Sequence, residues 1–261
     1  MMERLTQILL LFCLLTMASL GMVHKTWAQD SQLTKLLADI NQKVDKQAAL
    51  EALLNLSKSP ALNTGEKAEV LLNQGKVLFT LHQYNQGIDA INSAIELAQK
   101  SNLFGLKAQA EKMLGILLYY QGELKLALQA YQASLAYYQK NQADGINNFA
   151  IERANLFNNI ALVYTSLGQA NLALVNYQLA EPLYARYGDE ADKIDVRYNI
   201  AALYISLKRF DSAIDMLRVI IKKRQQLKDA HGVATARADL GVAYKDSGQF
   251  ELGKENILAA L

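Results

Sequence analysis

A pair of small residues, twelve apart, returns along this chain about every forty residues. The first members are Gly75, Gly115, Ala161, Ala201 and Gly241, at intervals of 40, 46, 40 and 40, and the second members are Gly87, Ala127, Ala173, Ala213 and Gly253. Three places after each first member stands a large residue: Leu78, Leu118, Tyr164, Tyr204 or Tyr244. A unit of this length cannot bury its own apolar face, so copies must stack on one another and share a continuous core. The period therefore constrains architecture before any chemistry is considered.

Within each unit the apolar residues follow helical spacing, and Ala, Leu, Gln, Lys and Glu dominate while only Pro60 and Pro182 interrupt. The summed propensity predicts an all-α fold, a solenoid of antiparallel helix hairpins. Gly or Ala where two helix backbones cross permits close approach, and the large neighbour fills the adjoining groove. Ala173→Leu is expected to overpack that crossing by about 1–3 kcal/mol. Gly122, Gly168 and Gly248 stand at the junction inside a hairpin, where a left-handed C-cap suits Gly, and His82 and Lys208 hold that place in the other two units. Polar joins at Lys100–Asn102, Asn141–Gly145, Tyr187–Asp189 and Lys228–Gly232 separate one hairpin from the next. The repeats are thus expected over about 66–104, 105–147, 148–191, 192–230 and 231–261, preceded by a helical cap over 29–65 with Thr64 as a candidate N-cap.

The first 28 residues stand apart. A short charged start, Glu3-Arg4, precedes an uncharged apolar run from Ile8 to Val23, and Thr26-Trp27-Ala28 follows. This is the layout of a secretory signal cleaved after Ala28, and it predicts a periplasmic or secreted protein. An uncleaved anchor is the alternative, although a span needs about 20 apolar residues. Cleavage removes the sole Cys13, leaving a chain without disulfides, with 25 basic against 24 acidic residues. Near-neutrality offers no electrostatic footprint for nucleic acid.

The residues Asn159-Ile160-Ala161-Leu162-Val163-Tyr164, Leu167-Gly168, Ala173, Tyr177 and Ala180 resemble a tetratricopeptide repeat. Leu114-Gly115, Tyr119, Gly122, Ala127, Tyr131 and Leu240-Gly241, Tyr244, Gly248, Phe250 are similar. The resemblance covers about residues 66–261 and implies a right-handed superhelix whose concave groove is lined by the first helix of each pair. The forty-residue period is similar to the variant of kinesin light chain and of bacterial peptide-sensing regulators. In that variant an asparagine two places before the small residue holds an extended peptide by its backbone. The column here reads Asn73, Met113, Asn159, Asn199 and Asp239, interrupted at Met113 and altered at Asp239. Neighbouring groove positions implied by the resemblance are Lys76, Phe79, Lys112, Tyr120, Asn158, Tyr198 and Lys245. An amide both donates and accepts, which suits a peptide bond. Hydrogen bonds inside the stack are the other reading of the same polar residues.

No catalytic or cofactor signature accompanies the repeats. His82 and His231 lie in separate turns, without Cys ligands or paired His spacing, so no metal site is expected. A Gly-rich phosphate loop and a nucleophile elbow are both missing. Asp189-Glu190 and Asp192/Asp195 read as helix-start residues, and Lys222-Lys223-Arg224 with Lys228 as cations at a helix C-terminus. Tyr119-Tyr120, Tyr131 and Tyr137-Tyr138 read mainly as packing, with Tyr120 open to a ligand. The expectation is a non-enzymatic, exported scaffold that binds a protein or peptide. Its alternative is the periplasmic sensor region of a signalling receptor, such as a diguanylate cyclase or histidine kinase. The expected last hairpin has no polar closing helix after it, which leaves self-association or a further domain open at that edge.

Overall fold

The structure, a computed structural model, describes residues 25–141 and 149–261, and its side chains from Leu33 onward. The apolar run of the expected secretory signal, and the residues around Asn141 to Phe149 that absorb the 46-residue interval, fall largely outside the described residues. Among those described there are twelve α-helices and no strand. They form two compact units, one ending at Glu123 and the other beginning at Leu124.

The first unit contains α1 (Lys25–Asn41), α2 (Lys46–Ser57), α3 (Thr64–Thr80), α4 (Tyr84–Lys100) and α5 (Phe104–Gln121). Each packs on the next, and α1 and α5 both touch α3. The stretch read as a cap is therefore a helix pair in its own right, with Leu33, Leu37 and Ile40 of α1 and Ala49, Leu50 and Leu53 of α2 buried in one cluster with Val70, Val77 and Leu78 of α3. The helix α3 is capped by Asn63, not by Thr64: Asn63 Oδ1 accepts from the Glu66 amide at 2.9 Å, and Glu66 Oε2 accepts from the Asn63 amide at 2.7 Å. A reciprocal capping box needs an acceptor side chain three residues after the cap; Glu66 stands there for Asn63, whereas Lys67 stands there for Thr64.

The second unit contains α6 (Leu124–Lys140), α7 (Ala150–Ser166), α8 (Ala170–Tyr187), α9 (Glu190–Ser206), α10 (Phe210–Gln226), α11 (Ala230–Asp246) and α12 (Phe250–Leu258). Sequential helices again pack together, and α9 also touches both α7 and α11. The first helices of three successive hairpins are thus direct neighbours, and they present adjoining faces. Asp189 caps α9 through a second box with Asp192, as its helix-start reading requires.

Turn chemistry within the hairpins repeats closely. Gly168 and Gly248 adopt φ of 71° and 87°, Gly122 adopts 87°, and His82 and Lys208 enter the same left-handed region at 57° and 59°. After each of them, the next amide reaches back to the carbonyl of the large residue of the repeat: Gln83 to Leu78, Glu123 to Leu118, Gln169 to Tyr164, Arg209 to Tyr204 and Gln249 to Tyr244, at 2.8–2.9 Å. This six-to-one closure satisfies a helix-end carbonyl that would otherwise be unpaired.

The small pairs meet at hairpin crossings. A Cβ placed on Gly241 would stand 2.9 Å from the Gly253 carbonyl oxygen, and one on Gly253 would stand 3.0 Å from the Gly241 carbonyl oxygen. Gly75 lies likewise against Ile91 and Gly87. In the two hairpins between Ala150 and Gln226 the partners are Ala161 with Ala173 and Ala201 with Ala213, all fully buried. Each of these four crossings thus matches like with like, whereas the remaining pair, Gly115 and Ala127, is mixed.

Candidate functional site

The asparagine column and its neighbours come together most clearly in the second unit, on α7, α9 and α11. Asn199 Nδ2 donates to Asn158 Oδ1 at 2.9 Å, joining α9 to α7. One repeat later, Tyr198 Oη donates to Asp239 Oδ2 at 2.5 Å, joining α9 to α11. In both rungs, a residue three places before the small position pairs with the residue two places before it in the next repeat. Burial first, then the bond to Asp239, pushes the Tyr198 hydroxyl well above the ordinary phenol range, so at neutral pH it is a neutral donor. Asn159 is half-buried on α7, and its side chain makes no hydrogen bond to another described residue. Half-buried Leu162, Ala202 and Val242, each one place after a small residue, complete an apolar strip between the polar groups, and exposed Lys245 stands at its end.

A helix-end cation holds this face in register. Arg224, in the last turn of α10, donates from Nη2 to Asp195 Oδ1 and from Nη1 to Asp229 Oδ2, both at 2.7 Å. Its guanidinium carbon also lies 5.5 Å from the Tyr198 ring centroid. The helix-dipole reading of the Lys222–Lys228 cluster accounts for its position but not for these bonds. The available sequence signal is Gly232: a Cβ there would collide with Arg224 Nη1 and Asp229 Oδ2, so the arginine needs a glycine beneath it. The two carboxylates respond oppositely. Asp229 accepts from the Gly232 amide and from Arg224 and is held below the usual carboxylate range. Asp195 is pushed up by burial, with Arg224 opposing that shift. A further bond, Tyr184 Oη to Asn155 Oδ1 at 2.6 Å, ties α8 to α7.

In the first unit, Asn73 is buried and already engaged: it accepts from Asn41 Nδ2 of α1 at 2.7 Å and donates to the Glu69 carbonyl oxygen at 2.8 Å. Met113 lies in the core beside Leu72 and Ile91, which explains an apolar residue in that column. Lys76 is exposed on α3 and Lys112 half-buried on α5. Tyr120, 58% exposed, joins an aromatic group made by the ends of α3 and α5 and the start of α4. Its ring centroid lies 5.0 Å from that of Phe79, 5.6 Å from Tyr119 and 6.1 Å from Tyr84. His82 Nδ1 and Tyr84 Oη are 2.9 Å apart at the same corner. Tyr131 and Tyr138, in contrast, are buried on α6.

No described helix is long and apolar enough to cross a membrane. Residues 152–226 match the family model described as tetratricopeptide repeat. Comparison with curated proteins gives no sequence match. Among solved structures, BtubC (BKLC) from P. vanneervenii is similar at TM-score 0.65 and 20% identity, over 87% of this chain and 89% of that one. The nearly identical TPR-like repeats of a putative kinesin light chain from Podospora anserina are similar at TM-score 0.62 and 12% identity, over 76% and 95%. A signal-transduction ATPase with numerous domains and a tetratricopeptide repeat sensor, from Pyrococcus horikoshii, is similar at TM-score 0.73 and 16% identity, over 87% of this chain but 35% of that one. With the stacked hairpins, the left-handed turns and the forty-residue period, these likenesses identify the chain as a tetratricopeptide-repeat fold, similar to the kinesin-light-chain kind.

Proposed function

We propose that the face formed by α7, α9 and α11 binds an extended segment of a protein or peptide. The observation that carries this reading is the Asn199–Asn158 rung, because it orients two amides without exhausting them. Asn199 spends one N–H on Asn158 and keeps its oxygen and second N–H, while Asn158 keeps both N–H groups. Asn159, one residue along, adds a third amide. Side chains pinned in advance cost less to order when a ligand arrives. The apolar strip of Leu162, Ala202 and Val242 gives alternate side chains of such a segment a place to pack.

The N-terminal layout supports export, and the mature chain beginning at Gln29 is the form assigned to this role. N-terminal sequencing of the exported fraction tests that part: a chain retaining Met1 in the membrane fraction would favour the anchor. The same face would serve equally as the sensing region of a receptor, and the genomic reading frame after Leu261 separates the two.

The binding reading is tested with peptides selected from a phage-displayed random library against the protein. Asn159→Ala combined with Asn199→Ala removes two ligand hydrogen bonds worth about 1 kcal/mol each, so the affinity of a selected peptide should fall about 30-fold. Unchanged affinity, with unchanged helicity by circular dichroism, would refute the assignment.

A further inference from the structure

From Ala154 to Ala180 the chain contains no Asp, Glu, Lys, Arg or His, although charged residues make up 20% of the sequence. This neutral stretch covers most of α7 and the first two-thirds of α8. On α7 it supplies the amides already described. On α8 it does something different: Leu172, Val175 and Leu179 are 46%, 51% and 47% exposed. Their spacing of three and then four residues places them in one stripe along the helix. The buried positions of α8 are elsewhere, at Ala173, Tyr177, Ala180 and Tyr184, so the stripe is surplus to the core of the unit.

We propose that this stripe is the centre of an interface between two copies of the chain, related by a two-fold axis that pairs α8 with α8 of the second copy, antiparallel. Two features select a second copy as occupant. The stripe is nearly palindromic about Val175, so the antiparallel arrangement brings Val175 near its own counterpart and sets each Leu172 against Leu179 of the other copy. A self-complementary patch of this kind is what an isologous contact requires. The patch also lacks charge, and a neutral face set against itself strands no ion, whereas a charged partner would lose hydration with nothing opposite to compensate.

The surroundings fit the same docking. Beside Leu172, a depression of about 410 Å³ is lined by Gly168, Gln169, Ala170, Asn171, Leu172 and Leu207. The antiparallel register brings the exposed Pro182 of the second copy to that depression. Among the other second helices of the unit, Leu126 of α6 and Val219 of α10 are also half-exposed. The exposed charges of α10, Asp215, Arg218 and Lys222, lie outside the stripe, so its centre stays neutral, as the core of a protein interface is. This contact lies on α8 and leaves the amide face of α7 and α9 available to a ligand, so it stands or falls independently of the proposed peptide binding.

Two measurements on the full chain test the interface. In sedimentation equilibrium the protein should be a dimer with a dissociation constant in the micromolar range, and Leu172→Lys with Leu179→Lys should weaken it at least ~100-fold. The second measurement places one thiol at the axis. In a Cys13→Ser background, Val175→Cys should form an intermolecular disulfide rapidly on mild oxidation, whereas Ser93→Cys, exposed on α4, should not. A wild-type chain that stays monomeric at ~100 µM overturns the proposal, being weaker than any stable interface of this kind. So does a dimer that survives the lysine pair, or cross-linking equally fast from both cysteines. If the lysine pair unfolds the chain, the cysteine comparison still decides.

Discussion

Gly241→Ala adds one methyl group where α11 and α12 cross. The new Cβ would lie 2.6 Å from Ile257 Cγ1, 2.9 Å from the Gly253 carbonyl oxygen and 3.1 Å from the Ile257 amide nitrogen. Two of these three neighbours are backbone, so relief requires the helices to separate rather than a side chain to turn aside. Because backbone atoms must move, the upper part of the overpacking range applies, about 2–3 kcal/mol. Replacing a mid-helix Gly by Ala returns roughly 1 kcal/mol of helix propensity, which leaves a net loss of about 1–2 kcal/mol. The like-with-like crossings supply a sharper expectation. Once α12 has moved out to the separation that Ala201 and Ala213 already tolerate, a second methyl at position 253 has room. Gly253→Ala alone should therefore cost a similar amount, but the double variant should cost clearly less than the sum, a coupling of about 1 kcal/mol. Thermal unfolding followed at 222 nm, with hydrogen exchange in α11 and α12, reads both quantities, and each single substitution should lower the melting temperature by about 3–6 °C. Strict additivity, or singles that melt like wild type, would refute the claim that backbone proximity at this crossing sets the residue.

Four further outcomes follow from the turns and from Arg224. Lys208→Gly relieves a left-handed conformation that costs a side chain about 1–2 kcal/mol, and after the extra entropy of Gly should stabilise the protein by about 0.5–1 kcal/mol in urea unfolding. Asp229 has a depressed folded pKa, so its contribution is present above the unfolded carboxylate value near 3.9 and is lost as pH falls through the lower folded value. Asp229→Asn should thus lower the melting temperature at pH 7, with the gap closing in strong acid. Asp195 is shifted upward, so ionising it opposes folding, and Asp195→Asn should melt at or above wild type at pH 7. Gly232→Ala should destabilise by about 1–3 kcal/mol by displacing Arg224, and markedly less in an Arg224→Ala background, as a double-mutant cycle of melting curves would show.

The period, the all-helical content and the hairpin turns were legible in the residues because each rests on local chemistry. Spacing of small and large side chains, helix propensity and the demand for a left-handed residue at a helix end act within a few positions of one another. Even His82 and Lys208, which lack the usual glycine, were assigned their turn by register alone, and their φ values agree. Asn63 and Thr64 are adjoining residues of cap-forming type, and only the reach between Asn63 and Glu66 distinguishes them.

The polar groups were legible as types but not as partners. A column of asparagines reads the same whether its amides face a ligand or one another, since both uses favour a side chain that donates and accepts. Tertiary structure decided that Asn73 is taken by Asn41, that Asn199 leans on Asn158, and that Tyr198 is bound to Asp239. It also turned Arg224 from a helix-end charge into the tie between α9, α10 and α11. Apart from the local Arg224–Asp229 bond, these contacts span 29 to 41 residues, across hairpins whose separation depends on how every intervening core side chain packs. Local spacing determined which helices form and where they reverse. The meeting of side chains from different repeats was settled only by the stack itself.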